Sequence, residues 1–236
     1  MDNKHGVSIV IPVYNEQENI LTTLGRIEKE VKIPFEVLII YDFDEDNTLA
    51  VLSNADFKMN LKKIKNAYER GVPTAIKTGL DNSTYDAVVI VMADCCDEIE
   101  KINLMYKKIS EGIDVVCGSR YMKGGQQRVK ITLKPLLSRL AGLSLYVAGI
   151  PTCDSTNAFK MYRLVLFKAI NIESKKGFEI SMEITLKAFS LGYKISEIPV
   201  TWTDRTGGTS KFKLFKWMPA YLKWYFFGIK SLMKKF

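Results

Sequence analysis

The chain has 236 residues, 47% of them hydrophobic and 25% charged, with a net charge of +8. This composition indicates one globular domain, and the sequence contains no internal repeat. The charge excess falls entirely within residues 205–236, which hold eight basic residues and no acidic one, so this end favours an anionic partner.

The N-terminal residues indicate a cytoplasmic protein. Residues 1–6 lack the charged-then-apolar order of a secretory signal. The cysteines are Cys95, Cys96, Cys117 and Cys153, and neither Cys-x-x-Cys spacing nor a histidine beyond His5 accompanies them. Reduced thiols are therefore expected, rather than a zinc site or disulfides.

Strands and helices alternate through the first half of the chain. Apolar, β-branched runs predict strands at residues 7–13, 35–41, 61–64, 85–92 and 115–120. Predicted helices run over residues 16–32 with Asn15 as N-cap, from Asp46 or Asn47, over residues 72–80, and up to Ile109. This alternation predicts an α/β fold with a doubly wound, mostly parallel sheet and helices on both faces.

The second half continues with a helix at 131–147, a strand at 159–162, a helix at 179–191 and an extended stretch at 193–202. Residues 1–211 are taken as the domain and residues 212–236 as a basic, aromatic, amphipathic helix. Lys216, Lys223 and Lys230 share one face of that helix. A lysine in every heptad argues against a membrane span and is typical of a helix lying in the headgroup plane. The alternative is a helix that packs its aromatics on the domain and points its lysines into water.

Ligands of such sheets bind beyond the carboxyl ends of the strands. These ends are followed here by Tyr14-Asn15-Glu16, by residues 42–46, by residues 92–97 and by Ser119-Arg120. We expect the four turns to line one cleft.

Five motifs occur in a fixed order along the chain. They are Val10-Ile11-Pro12-Val13-Tyr14-Asn15-Glu16, Asn66 with Arg70-Gly71, Ala93-Asp94, Gly118-Ser119-Arg120-Tyr121, and Asp204-Arg205-Thr206-Gly207-Gly208-Thr209-Ser210-Lys211. Together they resemble the family 2 glycosyltransferases of the GT-A fold, most closely the dolichyl- and polyprenyl-phosphate mannosyltransferase group. The resemblance runs from Val7 to about Lys213 and implies a Rossmann-like enzyme domain.

The resemblance implies a donor site for a nucleotide-sugar. Its residues would be Pro12, Tyr14, Glu16, Asp42, Ala93, Asp94 and Lys211. Some have a structural alternative: Pro12 as a strand-end proline, Tyr14 as a core aromatic, and Glu16 as a first-turn acid that complements the helix dipole.

A departure from the family pattern affects the expected metal. Met92-Ala93-Asp94 stands where the family has an Asp-x-Asp turn, and thioethers are poor ligands for Mg²⁺ or Mn²⁺. Asp94 remains the expected ligand, helped by Asp97 or by donor oxygens. Tyr41 and Phe43 also depart from the pattern, which leaves the nucleotide base and the sugar open.

The acceptor expected from the resemblance is a lipid phosphate. Because a phosphate monoester has a second pKa of ~6, it is already an anionic nucleophile at neutral pH and needs cations rather than a base. Arg120, Arg139, Ser210 and Lys211 are assigned to its phosphate, and Asp94, Arg120 and Arg205 to catalysis. Arg139 alone is more typical of a solvated helix surface, and the segment 154–160 is interpreted as mainly structural.

The resulting hypothesis is inverting transfer of mannose or another hexose from a nucleotide-sugar to polyprenyl or dolichyl phosphate. The enzyme would be peripheral, on the cytoplasmic face of the membrane. The alternatives are a family 2 enzyme with a saccharide hydroxyl acceptor and a catalytically silent sugar-nucleotide-binding protein. A nucleic-acid partner is disfavoured, because stacking platforms for nucleic acids are built on sheets or barrels rather than on a terminal helix.

Overall fold

A computed structural model describes residues 4–128, 133–175, 177–203 and 214–233 of the chain. The strands are β1 (Lys4–Val13), β2 (Phe35–Tyr41), β3 (Leu61–Lys65), β4 (Tyr85–Ile90), β5 (Val115–Ser119), β6 (Gln126–Arg128), β7 (Lys160–Arg163), β8 (Ile195–Pro199) and β9 (Thr201–Thr203). The α-helices are α1 (Ile20–Glu30), α2 (Asn47–Ser53), α3 (Val72–Asp81), α4 (Lys101–Ser110), α5 (Leu133–Val147), α6 (Ile180–Ser190) and α7 (Leu214–Met233). A short 3₁₀ helix covers Leu164–Lys168.

Seven strands form the main sheet, in the order β3-β2-β1-β4-β7-β5-β8. Strands β1 to β4 pair in parallel, as do β5 and β8. Strand β7 runs antiparallel between β4 and β5. The predicted α/β fold with a mostly parallel sheet is confirmed, and β7 is the antiparallel exception.

Both faces of the sheet are buried, which explains why its strands are apolar without alternation. Ile9 and Ile11 of β1 face the core shared with α1 and α4, whereas Val10 faces the core shared with α3 and α6. Helix α3 lies very close to the sheet at Gly79, where an added Cβ would stand 2.3 Å from Val10 Cγ1. The predicted helices on both faces are therefore present.

The predicted start of the first helix is wrong. Asn15 does not cap α1, which begins at Ile20 after Asn19. Asn15 instead has a left-handed backbone with φ of 54°, and its amide donates to both carboxylate oxygens of Asp46, each at 3.1 Å. The loop after β1 is thus held by the loop after β2 rather than by the following helix.

Helix α7 packs its inner face on the domain. Trp224 and Leu232 are buried against Leu145 of α5 and Leu186 of α6. The outer face carries the exposed Lys216, Lys223 and Lys230, as their spacing predicts. Within the described ranges, none of the helices combines the length and the apolar run that a membrane span requires.

Candidate active site

The four predicted turns lie at one edge of the sheet. Strands β1, β2 and β4 are parallel, and β7 is antiparallel to both β4 and β5. Strand β5 therefore runs in the direction of β4, and the chain leaves β1, β2, β4 and β5 at the same edge. The topology therefore brings the four turns to one edge of the sheet, where the sequence predicts a cleft.

The turns after β1 and β2 form one wall of this cleft. Asp46 caps α2 by accepting from the Thr48 amide at 2.9 Å while it also holds Asn15. Tyr14 is half-exposed rather than part of the core, and its ring meets the edge of the Phe43 ring at 5.4 Å between centroids. Glu16 is half-buried, and its amide donates to the Thr48 hydroxyl at 2.9 Å. Tyr14 and Glu16 thus lie at the rim.

Two other predicted donor residues are engaged in the fold. Pro12 is buried in β1 beside Ile40 of β2. The Asp42 carboxylate accepts from Asn66 Nδ2 at 2.8 Å and from the Gly71 amide at 3.1 Å. Asp42 therefore fastens the turn after β3 to the end of β2, whatever else it binds.

That turn brings a cation to the wall. The Arg70 guanidinium carbon lies 5.2 Å from the centroid of the Phe43 ring. Tyr14, Phe43 and Arg70 form a continuous aromatic and cationic surface. From the sequence, Phe43 is only a departure from the family pattern. Its ring contacts Tyr14 and Arg70 because the fold brings together three loops that are distant in sequence.

The turn after β4 is held rigidly from α1. Thr23 donates its hydroxyl to the Ala93 carbonyl at 3.2 Å. Arg26 donates to the Cys95 and Asp97 carbonyls at 3.1 and 2.8 Å. Asp94 is 9% exposed, and its carboxylate accepts from the Cys96 amide at 3.3 Å. Sequence reasoning missed Arg26, because a lone arginine on a helix gives no sign of the turn it supports.

Asp97 points inward beneath this turn. It is buried, and its carboxylate accepts from the Met92 amide at 3.2 Å. Burial, with the nearby charge of Asp94, raises the pKa of Asp97 to about 7, although Arg120 and Arg26 act in the opposite direction. Asp97 is thereby packed into the fold beside Asp94 and within electrostatic reach of Arg120.

The residues present fit a divalent metal only in part. Asp94 offers one carboxylate, which suits Mg²⁺ because that ion is often bound by one or two carboxylates together with phosphate oxygens. The thioether side chain of Met92 supplies no oxygen ligand. In the part of the chain that the structure describes, no three His, Cys, Asp or Glu side chains are grouped to hold a metal ion. A metal at Asp94 would therefore depend on oxygens of the donor.

Arg120 is held in a buried ion pair rather than projecting from its loop. Its Nε and Nη2 donate to Asp154 Oδ2 and Oδ1 at 2.7 and 2.9 Å, and its amide donates to Oδ2 at 3.1 Å. Burial would raise the pKa of Asp154, but the charge and hydrogen bonds of Arg120 outweigh it and lower that pKa. The charge of Arg120 is therefore balanced within the protein, a point the sequence does not show.

The 154–157 loop is fixed from several sides, in agreement with its predicted structural role. Asn157 donates from its amide to Asp154 Oδ1 at 3.1 Å and from Nδ2 to the Gly118 carbonyl at 2.8 Å. Lys160, fully buried, donates from Nζ to the carbonyls of Ser155 and Asn157. Asp154 can therefore hold Arg120 in one orientation.

Helices α5 and α7 complete the surroundings of Arg120. Arg120 Nη2 donates to the Ser138 hydroxyl of α5 at 3.3 Å. Tyr121 also donates to Ser138, at 2.9 Å, while its ring lies 4.9 Å from the Arg120 guanidinium carbon. Tyr221 of α7 lies within electrostatic reach of Arg120. Burial and the charge of Glu179 raise the pKa of Tyr221, and the charge of Arg120 acts in the opposite direction. Arg139, next to Ser138, is exposed on α5.

Several predicted site residues lie outside the described residues. These are Arg205, Ser210 and Lys211, together with the Gly207-Gly208 pair that separates them. Their assignment to donor and acceptor phosphates stays a prediction.

Comparison with protein families gives one match over most of the chain. The model of the family described as Glycosyl transferase family 2 matches residues 8–170. A dolichol-phosphate mannosyltransferase of Pyrococcus furiosus is 30% identical over 216 residues, which cover 88% of this chain and 59% of that protein. A polyprenol monophosphomannose synthase of Mycolicibacterium smegmatis is 27% identical over 212 residues, or 86% of this chain and 79% of that protein. The chain thus spans less than two thirds of the first of these relatives.

Solved structures show the same fold. Glucosyl-3-phosphoglycerate synthase from Mycobacterium tuberculosis in complex with UDP superposes with a TM-score of 0.69 at 13% identity, covering 98% of this chain and 80% of that one. The same enzyme has been solved with Mn²⁺ and UDP. S. aureus TarS 1-349 with UDP gives a TM-score of 0.61 at 23% identity, covering 84% of this chain and 60% of that one. Both likenesses, at this identity, concern the fold alone.

Proposed function

Because the chain belongs to glycosyl transferase family 2, we propose that it transfers a hexose, with inversion, from a nucleotide-sugar to a polyprenyl or dolichyl phosphate. The observation that carries this proposal is the arrangement at the carboxyl edge of the sheet, where the turn with Asp94 and the loop with Arg120 follow strands β4 and β5, which run in the same direction. The names of the two mannosyl-transferring relatives support the same choice of acceptor and sugar.

The donor would lie along the wall built by the turns after β1, β2 and β3. The rings of Tyr14 and Phe43 and the guanidinium of Arg70 would contact the nucleotide base. Glu16, at the rim, would accept a hydrogen bond from a ribose hydroxyl. Asp94 would face the diphosphate. A divalent metal held there would neutralise the charge that develops on the leaving nucleoside diphosphate.

The acceptor phosphate would enter from the Arg120 side. Its anionic oxygen attacks the anomeric carbon of the sugar while the bond from that carbon to the donor phosphate breaks, and the bonding electrons leave with the nucleoside diphosphate. No proton has to move, so the residues need only orient two phosphates. Arginine suits this role because its planar fork holds one geometry, and Asp154 keeps Arg120 in place.

The same proposal assigns roles to the two segments of the chain and to the remaining predicted site residues. Residues 1–211 would form the catalytic domain, and residues 212–236 would hold it on the cytoplasmic face of the membrane. Arg139, Arg205, Ser210 and Lys211 would supply further contacts to the two phosphates. The absence of any need for a base is the feature that separates this reaction from transfer to a saccharide hydroxyl.

The proposal is tested by incubating the purified protein with a panel of sugar nucleotides, Mg²⁺ or Mn²⁺, and a short-chain polyprenyl phosphate in detergent. We expect one donor to yield a glycolipid, and Asp94→Asn to lower the rate at least a hundredfold. Asp56→Asn is the matched control, because Asp56 is an exposed acid in the loop before β3, at the edge of the sheet opposite the four turns.

Three outcomes would contradict the proposal. Transfer to a soluble saccharide without lipid would select the hydroxyl acceptor. Nucleotide binding by calorimetry without turnover of any donor would select a silent binding protein. Full activity of Asp94→Asn would remove Asp94 from the site.

A further inference from the structure

Helix α6 is preceded by a buried carboxyl group that the fold leaves partly unused. Glu179 comes directly before Ile180, the first residue of α6, and its side chain makes no capping hydrogen bond. The residue is 3% exposed, and within the described ranges its Oε2 has no hydrogen-bond partner. Burial and the charge of Glu183 raise the pKa of Glu179. A buried carboxyl oxygen without a partner costs stability, so its presence needs an explanation.

A second buried oxygen close to this carboxyl is also unsatisfied. Ser174 is buried, and its hydroxyl is near enough to Glu179 to lower the pKa of that carboxyl against the larger effect of burial. Ser174 Oγ nevertheless has no partner at hydrogen-bonding geometry in the part of the chain that the structure describes. An ionised carboxylate only accepts hydrogen bonds, whereas a hydroxyl can donate and accept. A ligand hydroxyl would therefore satisfy both groups at once.

The segment that carries these two groups runs between the two halves of the candidate site. At one end, the Lys175 carbonyl oxygen lies 3.6 Å from the place that a Cβ on Gly71 would take, in the turn after β3. At the other end, Tyr221 of α7 lies within electrostatic reach of both Glu179 and Arg120. In the proposed reaction, the transferred sugar has to lie between the nucleotide wall and the Arg120 site.

The same segment is held firmly by α6. The Glu183 carboxylate accepts from the Glu173 amide at 2.6 Å and from the Ser174 amide at 2.8 Å. Lys187 in turn donates to the Glu183 carboxylate at 2.7 Å. Because the backbone at Ser174 is fixed in this way, its hydroxyl is already placed for a ligand, as a preorganised binding site requires.

An indole ring lies beside the carboxyl. A Cβ on Gly177 would overlap Glu179 Oε2 and would stand 3.3 Å from Trp217 Cδ2 of α7. The Trp217 ring also meets the edge of the Phe178 ring, at 5.4 Å between centroids. Since Trp217 is itself only half-buried, a movement of its ring would give a ligand access to Glu179 Oε2.

We propose that Glu179, assisted by Ser174, binds a hydroxyl group of the transferred hexose and thereby helps to select the sugar. A hydrogen bond from a hydroxyl to a carboxylate is strong because the acceptor is charged. A phosphate fits less well, because it would bring a second negative charge to the carboxylate. This inference rests on the proposed function, since it takes the sugar nucleotide as the ligand of the cleft.

Calorimetric titration with GDP-mannose, UDP-glucose and UDP-N-acetylglucosamine, and with free GDP and UDP, tests the assignment. Glu179→Met removes both carboxyl oxygens at a similar side-chain size. It should weaken binding of the sugar nucleotide by about tenfold or more and leave the affinity for the free nucleotide unchanged. Glu179→Gln keeps one acceptor oxygen and should lose less. Glu111→Gln is the control, because Glu111 is an exposed acid that follows α4, and it should bind both ligands as wild type does.

The stability of the variant separates a binding role from a structural one. Because Glu179 Oε2 has no partner, Glu179→Met should not lower the melting temperature, and its binding of the free nucleotide shows that it folds. An equal loss of affinity for the sugar nucleotide and the free nucleotide would make Glu179 a structural residue. Unchanged binding of both would leave an ordered water as its partner. Either outcome overturns the inference.

Two further outcomes distinguish this inference from the proposed function. Binding of a sugar nucleotide that depends on Glu179, without transfer to polyprenyl phosphate, would refute the proposed function and leave the sugar contact standing. Transfer by Glu179→Met with the wild-type KM for the sugar nucleotide would refute the sugar contact and leave the proposed function standing.

Discussion

The pair formed by Arg120 and Asp154 gives a quantitative test of how the site is built. Asp154→Asn keeps the size of the side chain and removes its charge. The Asp154 side chain is fully buried and that of Arg120 is 11% exposed, so the guanidinium would lose its counter-charge in a place that water hardly reaches. Breaking one partner of a buried pair costs about 3–5 kcal/mol of the free energy of unfolding.

For a chain of this size, each kcal/mol shifts the melting temperature by about 2–4 °C, so we expect Asp154→Asn to lower it by about 6–20 °C. Urea denaturation at pH 7 measures the free energy itself. Asp44→Asn, which breaks an exposed ion pair with Lys65, should cost no more than about 1 kcal/mol. The double variant R120M/D154L should recover most of the loss, because no charge is left unpaired.

The pH dependence of the free energy of unfolding gives a second test of the Arg120–Asp154 ion pair. The folded pKa of Asp154 is lowered below 3.8, so its stabilisation is fully present above that value and is lost as the pH falls through the folded pKa. Wild type and Asp154→Asn should therefore differ at pH 7 and converge in acid. Equal stabilities of Asp154→Asn and Asp44→Asn at pH 7 would refute the reasoning.

Three further predictions concern stability. The folded pKa of Asp97 is raised from 3.8 to about 7, so its charge should destabilise the protein as the pH rises through this range. Between pH 4 and pH 8, the free energy of unfolding of Asp97→Asn in urea titrations should therefore rise by on the order of 4 kcal/mol relative to that of wild type. No relative gain would contradict the burial of that carboxyl. Gly79→Ala should cost about 1–3 kcal/mol, because its Cβ would overlap Val10, and Val10→Ala in the same chain should relieve part of the cost in calorimetry. Lys223→Ala should cost no more than about 1 kcal/mol, since its pair with Glu173 is half-exposed, and a larger loss of melting temperature would show that the pair fixes α7.

The sequence determined the order of the elements and the edge at which the site lies. Strands that are buried on both faces are continuous apolar runs, such as residues 7–13. They can therefore be predicted from neighbouring residues alone. The turns that follow such strands must gather at one edge once the strands are parallel. The start of α1 was misplaced, because Asn15 suits a helix cap by type but is bound by Asp46, 31 residues away along the chain.

The tertiary structure alone decided which charges are available and which are already paired. Arg120 and Asp154 are 34 residues apart, and no local sequence pattern predicts that they form an ion pair. Asp97 stands three residues from Asp94, yet the fold turns it inward to the Met92 amide. Ser144 of α5 and Tyr225 of α7 are joined by a hydrogen bond although they are 81 residues apart. The reason is physical: periodicity and residue type act along the chain, whereas ion pairing, burial and surface continuity depend on distances that only folding sets.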